Sequence, residues 1–288
     1  MLRRMAAPPS PGIPAIALPH AAGVRMPRLG LGTWPMAGAE CRRAVESALR
    51  LGYRHFDTAA MYGNEAEIGA AIAGSGVPRA EVFLATKVWH DRLTPDGVRA
   101  SCEASLRRLR LGHADLFLVH WPNPAMDLAA VLGALRRLKE DRLARATGVC
   151  NFPPGLLRRA LEIAPDAVSC LQVEYHVHLS QDRLLEIARP RGIPLTAYAP
   201  LAQGAAERDP AMRRIAQRHG ATPSQVALGW LLGQALVAAI PKAASAAHQR
   251  ANLAALDLRL DAADLAAIAA LPKGRRMVDP GFAPDWDA

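Results

Sequence analysis

Four residues of this sequence, Asp57, Tyr62, Lys87 and His120, carry side chains that together can protonate an oxygen atom. When a hydride adds to a carbonyl carbon, negative charge grows on the carbonyl oxygen and a nearby acid has to supply a proton. A free phenol has a pKa of about 10, and an adjacent ammonium stabilises the phenolate and lowers that pKa. A carboxylate beside the lysine keeps a buried ammonium charged. These residue types therefore predict a carbonyl-reducing site.

Each of the four residues also has a simpler explanation when it is taken alone. Asp57 could cap a turn, and Lys87 could extend to solvent. His120 could be a hydrogen-bonded core histidine, and Tyr62 could pack with its hydroxyl in water. A shared site is favoured because all four residues stand at the end of an apolar run or just after one.

Eight short apolar runs alternate with helix-like segments, as in parallel sheets that helices cover. The alternation predicts an α/β fold, a single-domain (β/α)₈ or TIM barrel. An open doubly wound sheet is the rival, but its glycine-rich first turn would be residues 30–35, which lack a third glycine and have Pro35 where a helix should begin. The predicted strands are Leu29–Thr33, His55–Thr58, Val82–Lys87, Leu116–His120, Ala146–Cys150, Cys170–Tyr175, Pro194–Tyr198 and Val237–Pro241.

A barrel gathers the carboxyl ends of its strands at one mouth, and barrel enzymes have their active sites there. Asp57, Lys87 and His120 lie at the ends of the second, third and fourth predicted strands. Tyr62 lies in the loop that leaves Asp57. We therefore expect the four side chains to meet in the folded protein.

Composition and charge exclude several classes of protein. The chain has 288 residues, of which 51% are hydrophobic, and its net charge of +9 comes from 35 basic and 26 acidic residues. The arginines occur in pairs along amphipathic segments, which is typical of solvated helix faces, so we predict no nucleic-acid partner. The positive field would suit an anionic cofactor. Since no run of 18 apolar residues occurs, we also predict no membrane span.

The N-terminus indicates where the folded domain begins, and the cysteines indicate the cellular compartment. Residues 1–14 are predicted to form a flexible tail without a secretory signal, and residues 15–288 the barrel domain. The four cysteines have neither CxxC nor metal-type spacing. We therefore predict free thiols, no metal and a cytoplasmic protein.

Six motifs at characteristic distances run along the sequence. They are GLGTW at 30–34, GYRHFDTAAMYGNEAEIG at 52–69, LATKVW at 84–89, VHWP at 119–122, GVCNF at 148–152 and IPK at 240–242. The spacing of these motifs is far more specific than a lone glycine motif. With them, the sequence from about Gly23 onward resembles the aldo-keto reductases, most of all the bacterial 2,5-diketo-D-gluconate reductase-like branch.

The resemblance implies a role for each candidate site residue. Tyr62 corresponds to the proton donor, Lys87 to the residue that lowers its pKa, Asp57 to the partner of Lys87, and His120 to the imidazole that orients the substrate. The implied substrate pocket consists of Trp34, Met36, Trp89 and Trp121. The implied cofactor-binding residues are Thr33, Cys150, Asn151, Gln172, Tyr198, Leu201, Lys242, His248 and Asn252.

Three of these implied cofactor contacts are more specific. Asn151 and Gln172 correspond to the side chains that hold the nicotinamide carboxamide, and Tyr198 to the aromatic ring that stacks under the nicotinamide. Cys150 stands where the family usually has serine.

The predicted adenosine-phosphate end departs from the family pattern. Lys242 and Asn252 are kept, but Ala243 replaces a serine, Ala251 replaces a glutamate, and His248 stands where the family has an arginine. An arginine can bind a phosphate through two parallel hydrogen bonds, which a histidine cannot do. The resemblance therefore implies NADP(H) as the cofactor, with weaker discrimination than usual and some use of NAD(H).

Two other functions remain open from the sequence. The chain could be a regulatory subunit that keeps the barrel, or an aldolase or isomerase in which Lys87 forms a Schiff base. Tyr62 and His120 have no purpose in either, which favours the reductase. Short loops at 123–127 and 201–209 predict an open site for aldehydes, ketoacids or keto-sugars. A monomer is the expectation from the resemblance.

Overall fold

The computed structural model describes residues 12–287 of the chain. Most of the predicted tail, residues 1–11, lies outside the described residues. Within the described part, the carbonyl of Pro14 accepts a hydrogen bond of 2.8 Å from the backbone N–H of Arg28.

Ten strands and eleven α-helices alternate along the described residues. The strands are β1 (Ala15–Ala17), β2 (Arg25–Pro27), β3 (Leu31–Gly32), β4 (His55–Asp57), β5 (Phe83–Val88), β6 (Ala114–Val119), β7 (Ala144–Cys150), β8 (Leu171–Glu174), β9 (Leu195–Tyr198) and β10 (Val237–Ala239). The helices are α1 (Gly38–Arg50), α2 (Glu65–Gly74), α3 (Pro95–Leu109), α4 (Leu128–Glu140), α5 (Pro154–Ile163), α6 (Asp182–Ala188), α7 (Ala205–Arg208), α8 (Pro210–Arg218), α9 (Pro223–Gly233), α10 (Ala246–Ala254) and α11 (Ala262–Ala269).

Strands β3 to β10 form one parallel sheet in chain order. The sheet closes on itself because parallel bridges join Leu29 to Ala239 and Gly32 to Lys242, at its first and last strands. No side chain fits at Gly32, since a Cβ atom there would lie 2.5 Å from the Ile240 carbonyl oxygen. The predicted (β/α)₈ barrel is therefore confirmed.

The helices begin and end largely as their local sequences require. Thr94 caps α3 by accepting a hydrogen bond from the N–H of Gly97, and Thr222 and Gln225 form a capping box at the start of α9. Helix α3 ends earlier than the glycine at 112 suggests, because Arg110 itself adopts a left-handed conformation with φ of 56°.

Strands β1 and β2 form an antiparallel hairpin that the sequence did not predict. Its residues Leu18, Val24 and Met26 are buried against side chains inside the barrel, among them Ala85 and Leu118. The hairpin therefore covers the barrel interior, whereas the larger core lies between the sheet and the surrounding helices. Among the described residues, no helix is long and apolar enough to cross a membrane.

Candidate active site

The centre of the barrel mouth is a buried ion pair between Asp57 and Lys87. Asp57 ends β4 in register with Ala85 of β5, so Lys87, two residues further along, projects to the same side as Asp57. Lys87 Nζ lies 2.5 Å from Asp57 Oδ1 and donates a second hydrogen bond of 2.8 Å to the Thr58 carbonyl. The lysine side chain is fully buried and the aspartate is 3% exposed.

The remaining acceptors of Asp57 are also used. Gln172 Nε2, reaching across from β8, donates to Asp57 Oδ2 at 2.7 Å. The hydroxyl of Thr33 donates to the Asp57 backbone carbonyl at 2.9 Å. A buried charge is tolerated only when such hydrogen bonds satisfy it, so three separate strands hold this carboxylate and its lysine in one geometry.

Tyr62 is positioned by the short segment that follows β4. The chain makes one 3₁₀ turn, Ala60–Tyr62, which ends at Gly63 in the left-handed conformation with φ of 67°. Asn64 then anchors the turn: its side chain donates to the Met36 carbonyl at 2.9 Å and accepts from the Thr58 hydroxyl at 2.6 Å. The Tyr62 ring consequently lies with its centroid 5.1 Å from Lys87 Nζ.

Asn64 and Glu65 are supporting residues that the sequence interpretation missed. Both are buried, and Glu65 accepts hydrogen bonds from the Thr86 hydroxyl at 2.6 Å and from Arg108 Nε at 2.7 Å. Two consecutive polar residues just after Gly63 were the available signal in the sequence. The structure buries both, and buried polar groups need hydrogen-bond partners.

His120 faces Tyr62 from one residue beyond the end of β6. Its Nε2 lies 3.5 Å from the Tyr62 hydroxyl, and its ring centroid lies 5.0 Å from that of Trp89. Asn151 donates to the His120 carbonyl at 2.9 Å. Burial lowers the pKa of His120 well below its usual range, and the nearby Lys87 ammonium lowers it further. The imidazole is therefore neutral at pH 7.

The pKa values of Lys87 and Tyr62 are both raised. Burial alone lowers the pKa of Lys87, but attraction to Asp57 and Tyr62 outweighs this and raises it above its ordinary value. Burial raises the pKa of Tyr62 to about 12, and Lys87 opposes that shift without overcoming it. The expectation of a lowered Tyr62 pKa is thus wrong for the net shift, although the lysine acts in the expected direction. The phenol holds its proton at neutral pH.

A cavity of about 970 Å³ opens at this end of the barrel. Most of the predicted site residues line it: Thr33, Trp34, Asp57, Tyr62, Trp89, His120, Trp121, Asn151, Gln172, Tyr198, Leu201 and Lys242. Lys87 lies directly behind Asp57 and Tyr62, as the distances above require.

Besides Lys87, four predicted residues do not line this cavity. Met36 is 1% exposed and packs in the core between sheet and helices, so its placement in the substrate pocket was wrong. Cys150 points into the barrel interior, where burial raises the pKa of its thiol well above the usual range. His248 is exposed and Asn252 is buried, both on α10.

The lining residues suit a ligand that carries an aromatic ring, an amide and a phosphate. Asn151 uses one amide proton on His120 and one lone pair on the Tyr198 hydroxyl, 2.8 Å away, and keeps one of each for a ligand. The side-chain carbonyl of Gln172 is likewise unused. Lys242 supplies an exposed cation further along the cavity.

The loop after β9 also has the backbone of a ligand-binding segment. Ala199, Ala202 and Gln203 have left-handed φ angles of 46°, 49° and 49°, which non-glycine residues rarely adopt. Such strain concentrates at ligand clamps. This loop is therefore a candidate ligand-binding segment.

The C-terminal segment, residues 274–287, supplies a wall that the sequence interpretation missed. Met277, Val278, Asp279, Pro280 and Phe282 all line the cavity. The predicted open site is therefore narrower than short loops suggested. Two aromatic residues in a segment rich in proline and glycine, Phe282 and Trp286, were the only signal in the sequence.

Comparison with known proteins gives a matching family model and similar relatives. The Aldo/keto reductase family model matches residues 28–273. Methylglyoxal reductase DkgB of Salmonella typhi is 40% identical over 266 residues, which cover 91% of this chain and 99% of the relative. DkgB of Yersinia pestis is 38% identical over the same length and the same shares.

Solved structures show the same likeness. A crystal structure described as a 2,5-diketo-D-gluconic acid reductase B superposes with a TM-score of 0.89 at 42% identity and covers 95% of this chain and 98% of its own. An aldo/keto reductase from Brucella melitensis superposes with a TM-score of 0.84 at 35% identity, with shares of 89% and 97%.

The lowered pKa of His120 leads to a prediction for its titration. Because burial and the neighbouring Lys87 ammonium disfavour the imidazolium, we expect the His120 ring resonances to stay constant as the pH falls from 8 to 6. A histidine in a model peptide titrates in this range, with a pKa of about 6.5. NMR, with the resonance assigned through a His120→Asn variant, checks this. A His120 midpoint at or above pH 6.5 would contradict the described environment.

Proposed function

Since the chain belongs to the aldo/keto reductase family and is an oxidoreductase that acts on small carbonyl compounds, we propose that Tyr62 is its proton donor and a nicotinamide cofactor its hydride donor. The observation that carries this proposal is the arrangement of Tyr62 between the Lys87 ammonium and the His120 imidazole at the edge of the cavity.

When bound, the reduced nicotinamide supplies a hydride to the carbonyl carbon. Side chains of the protein then orient and protonate the carbonyl oxygen. His120, neutral and with its proton on Nε2, hydrogen-bonds the carbonyl oxygen and orients it towards the Tyr62 hydroxyl. As negative charge develops on that oxygen, the Tyr62 proton moves to it and the alcohol is formed.

Lys87 and Asp57 make the proton transfer possible. The Lys87 ammonium stabilises the phenolate that remains on Tyr62, until solvent returns a proton to it. Asp57 keeps the lysine charged, and Gln172 and Thr33 keep Asp57 in place. Asn151, Gln172 and Tyr198 would hold the nicotinamide end of the cofactor, Thr33 and Leu201 would contact it nearby, and Lys242 would hold its phosphate end.

The alternative Schiff-base chemistry is disfavoured by the state of Lys87. A lysine must lose its proton to attack a carbonyl carbon, and the raised pKa of Lys87 opposes that loss. Its Nζ also donates to Asp57 and Thr58 behind the cavity surface. Likewise, a regulatory subunit would have no use for the Tyr62–His120 contact.

The substrate side of the cavity favours carbonyl compounds with an uncharged, apolar substituent. Trp34, Trp89, Trp121, Met61 and Phe282 supply its walls. Such surfaces bind alkyl and aromatic groups through area burial. We propose methylglyoxal and aromatic aldehydes as substrates to try first. The relatives named methylglyoxal reductase support the former.

We propose that the protein works as a cytoplasmic monomer. All four cysteines are free and buried, which suits a reducing compartment.

The proton-donor assignment predicts the effect of Tyr62→Phe. Removing the hydroxyl leaves the ring and the cavity in place but deletes the proton, so we expect aldehyde-dependent oxidation of NADPH to fall by about 100-fold or more. Cofactor affinity, measured by fluorescence titration, should stay within about twofold of wild type.

Tyr175→Phe is the matched control, because the Tyr175 hydroxyl bonds to Gln234 away from the cavity. It should keep full activity. If Tyr62→Phe retained near-wild-type turnover, the assignment of Tyr62 would be wrong.

The exposed His248 predicts modest cofactor discrimination. Without an arginine clamp, we expect the ratio of kcat/KM for NADPH over NADH to stay below about 1000, equivalent to about 4 kcal/mol. His248→Arg should raise that ratio about tenfold or more, because a guanidinium binds a phosphate through two hydrogen bonds.

Arg250→Gln is the control for a general change of charge on α10, since Arg250 is also exposed and lies on another side of the helix. It should change the ratio less than His248→Arg does. If the wild-type protein preferred NADPH over NADH by more than about 1000-fold in kcat/KM, the prediction of modest cofactor discrimination would be wrong.

A further inference from the structure

Glu174 is a buried carboxylate that the proposed mechanism does not use. It is the last residue of β8 and is fully buried. Because it lies two residues beyond Gln172, its side chain projects from the same face of the strand. Gln172 holds Asp57, whereas Glu174 points to a different partner, the C-terminal segment.

Both oxygens of Glu174 bind the backbone of that segment. Oε1 accepts from the N–H of Met277 at 2.6 Å and Oε2 accepts from the N–H of Val278 at 2.9 Å. His176 Nε2 lies 2.8 Å from Oε1, and Arg276 Nη1 lies 3.9 Å from Oε2. Hydrogen bonds to a buried charge are about twice as strong as neutral ones, so this attachment is firm.

From Glu174 the C-terminal segment crosses the mouth of the cavity. Further along, the Phe282 ring stacks on His90 with centroids 4.4 Å apart and lies 5.6 Å from both Trp89 and Trp121. The segment ends with Trp286, which packs against Arg276, and Asp287, which lies 3.4 Å from Arg183. Phe282 is 40% exposed. The attachment at Glu174 is therefore buried, whereas the contacts of Phe282 and Asp287 are largely exposed.

We propose that Glu174 is a positioning residue that fixes residues 277–282 as the outer wall of the substrate cavity and thereby determines which carbonyl substituents bind. The effect on specificity rests on the proposed function. Since Gln172 holds the reacting centre independently, loosening the wall changes substrate fit and leaves the proton-transfer groups in place. One strand, β8, thus supports the catalytic carboxylate and the specificity wall through neighbouring inward-facing residues.

The test replaces Glu174 by glutamine, which keeps the size but turns one acceptor into a donor that opposes a backbone N–H. We expect the KM for benzaldehyde to rise about tenfold, because that factor corresponds to the loss of one hydrogen bond to a charged group. The kcat for benzaldehyde and the KM for methylglyoxal, which is too small to need the wall, should each stay within about twofold.

Limited trypsin digestion gives a readout that needs no activity. Arg275 and Arg276 directly precede the bonded residues. Digestion followed by mass spectrometry should show cleavage after these arginines about tenfold faster in Glu174→Gln than in the wild-type protein. Glu207→Gln is the control, since Glu207 is exposed and bonds to Ser224 instead of the C-terminal segment.

Two further variants keep the test decisive if Glu174→Gln does not fold. Val278→Pro deletes a donor while Glu174 stays intact, and should reproduce the faster cleavage and the raised benzaldehyde KM. Phe282→Ala should raise the benzaldehyde KM without faster cleavage, since it leaves the Glu174 attachment in place.

If both Glu174→Gln and Val278→Pro were cleaved at the same rate as the wild-type protein, the proposal would be overturned. So would an equal loss of kcat with methylglyoxal and benzaldehyde, because that indicates damage to the reacting centre. If no carbonyl compound were reduced by the wild-type protein, the proposed function would fail, and the cleavage rates would still decide whether Glu174 holds the segment.

Discussion

The ammonium of Lys87 and the carboxylate of Asp57, 2.5 Å apart and nearly without exposure, place the strictest demand on this protein. Moving either ion out of water costs several kcal/mol, and their attraction offsets this only if every remaining donor and acceptor is satisfied. Gln172 donates to the second carboxylate oxygen, the Thr58 carbonyl accepts from the ammonium, and Thr33 binds the backbone carbonyl of Asp57. The closed sheet is what brings them together.

Two properties of the site follow from that pair. A lysine that stays charged in an apolar setting favours a phenolate on Tyr62 and disfavours the imidazolium of His120, in each case beside the larger effect of burial. Burial thus keeps the phenol protonated and the imidazole neutral, and the ion pair stabilises the phenolate that forms when Tyr62 gives up its proton. The support behind Tyr62, through Asn64, makes this arrangement rigid before any ligand arrives.

The walls of the cavity are built on a different principle. The reacting groups sit on strand ends and are locked by buried hydrogen bonds, whereas the outer wall is a chain segment without helix or strand that is fastened at Glu174 and rests on aromatic rings. A fixed centre with a separately attached wall allows substrate range to change without disturbing proton transfer. This is how barrel folds commonly support varied chemistry.

Local sequence determined the barrel and the placement of its strand-end residues, which is why both could be predicted. The resemblance to the diketogluconate-reductase-like branch is likewise confirmed. The features that could not be predicted depend on contacts between residues far apart in the sequence. Met36 is buried in the core, and its carbonyl accepts a hydrogen bond from Asn64, 28 residues later in the chain. The C-terminal segment is bonded to Glu174, which lies 103 residues before Met277. The net shift of the Tyr62 pKa depends on its burial, which the sequence does not specify.

The most direct test of the account is a double-mutant cycle on the free energy of unfolding, with Asp57→Asn, Lys87→Met and the combined variant. Each single change leaves an unpaired buried charge and should lower stability by about 3–5 kcal/mol. The combined variant should be more stable than the sum of the two losses predicts, by about 2 kcal/mol or more. Losses that simply add would contradict the claim that this ion pair holds the site together.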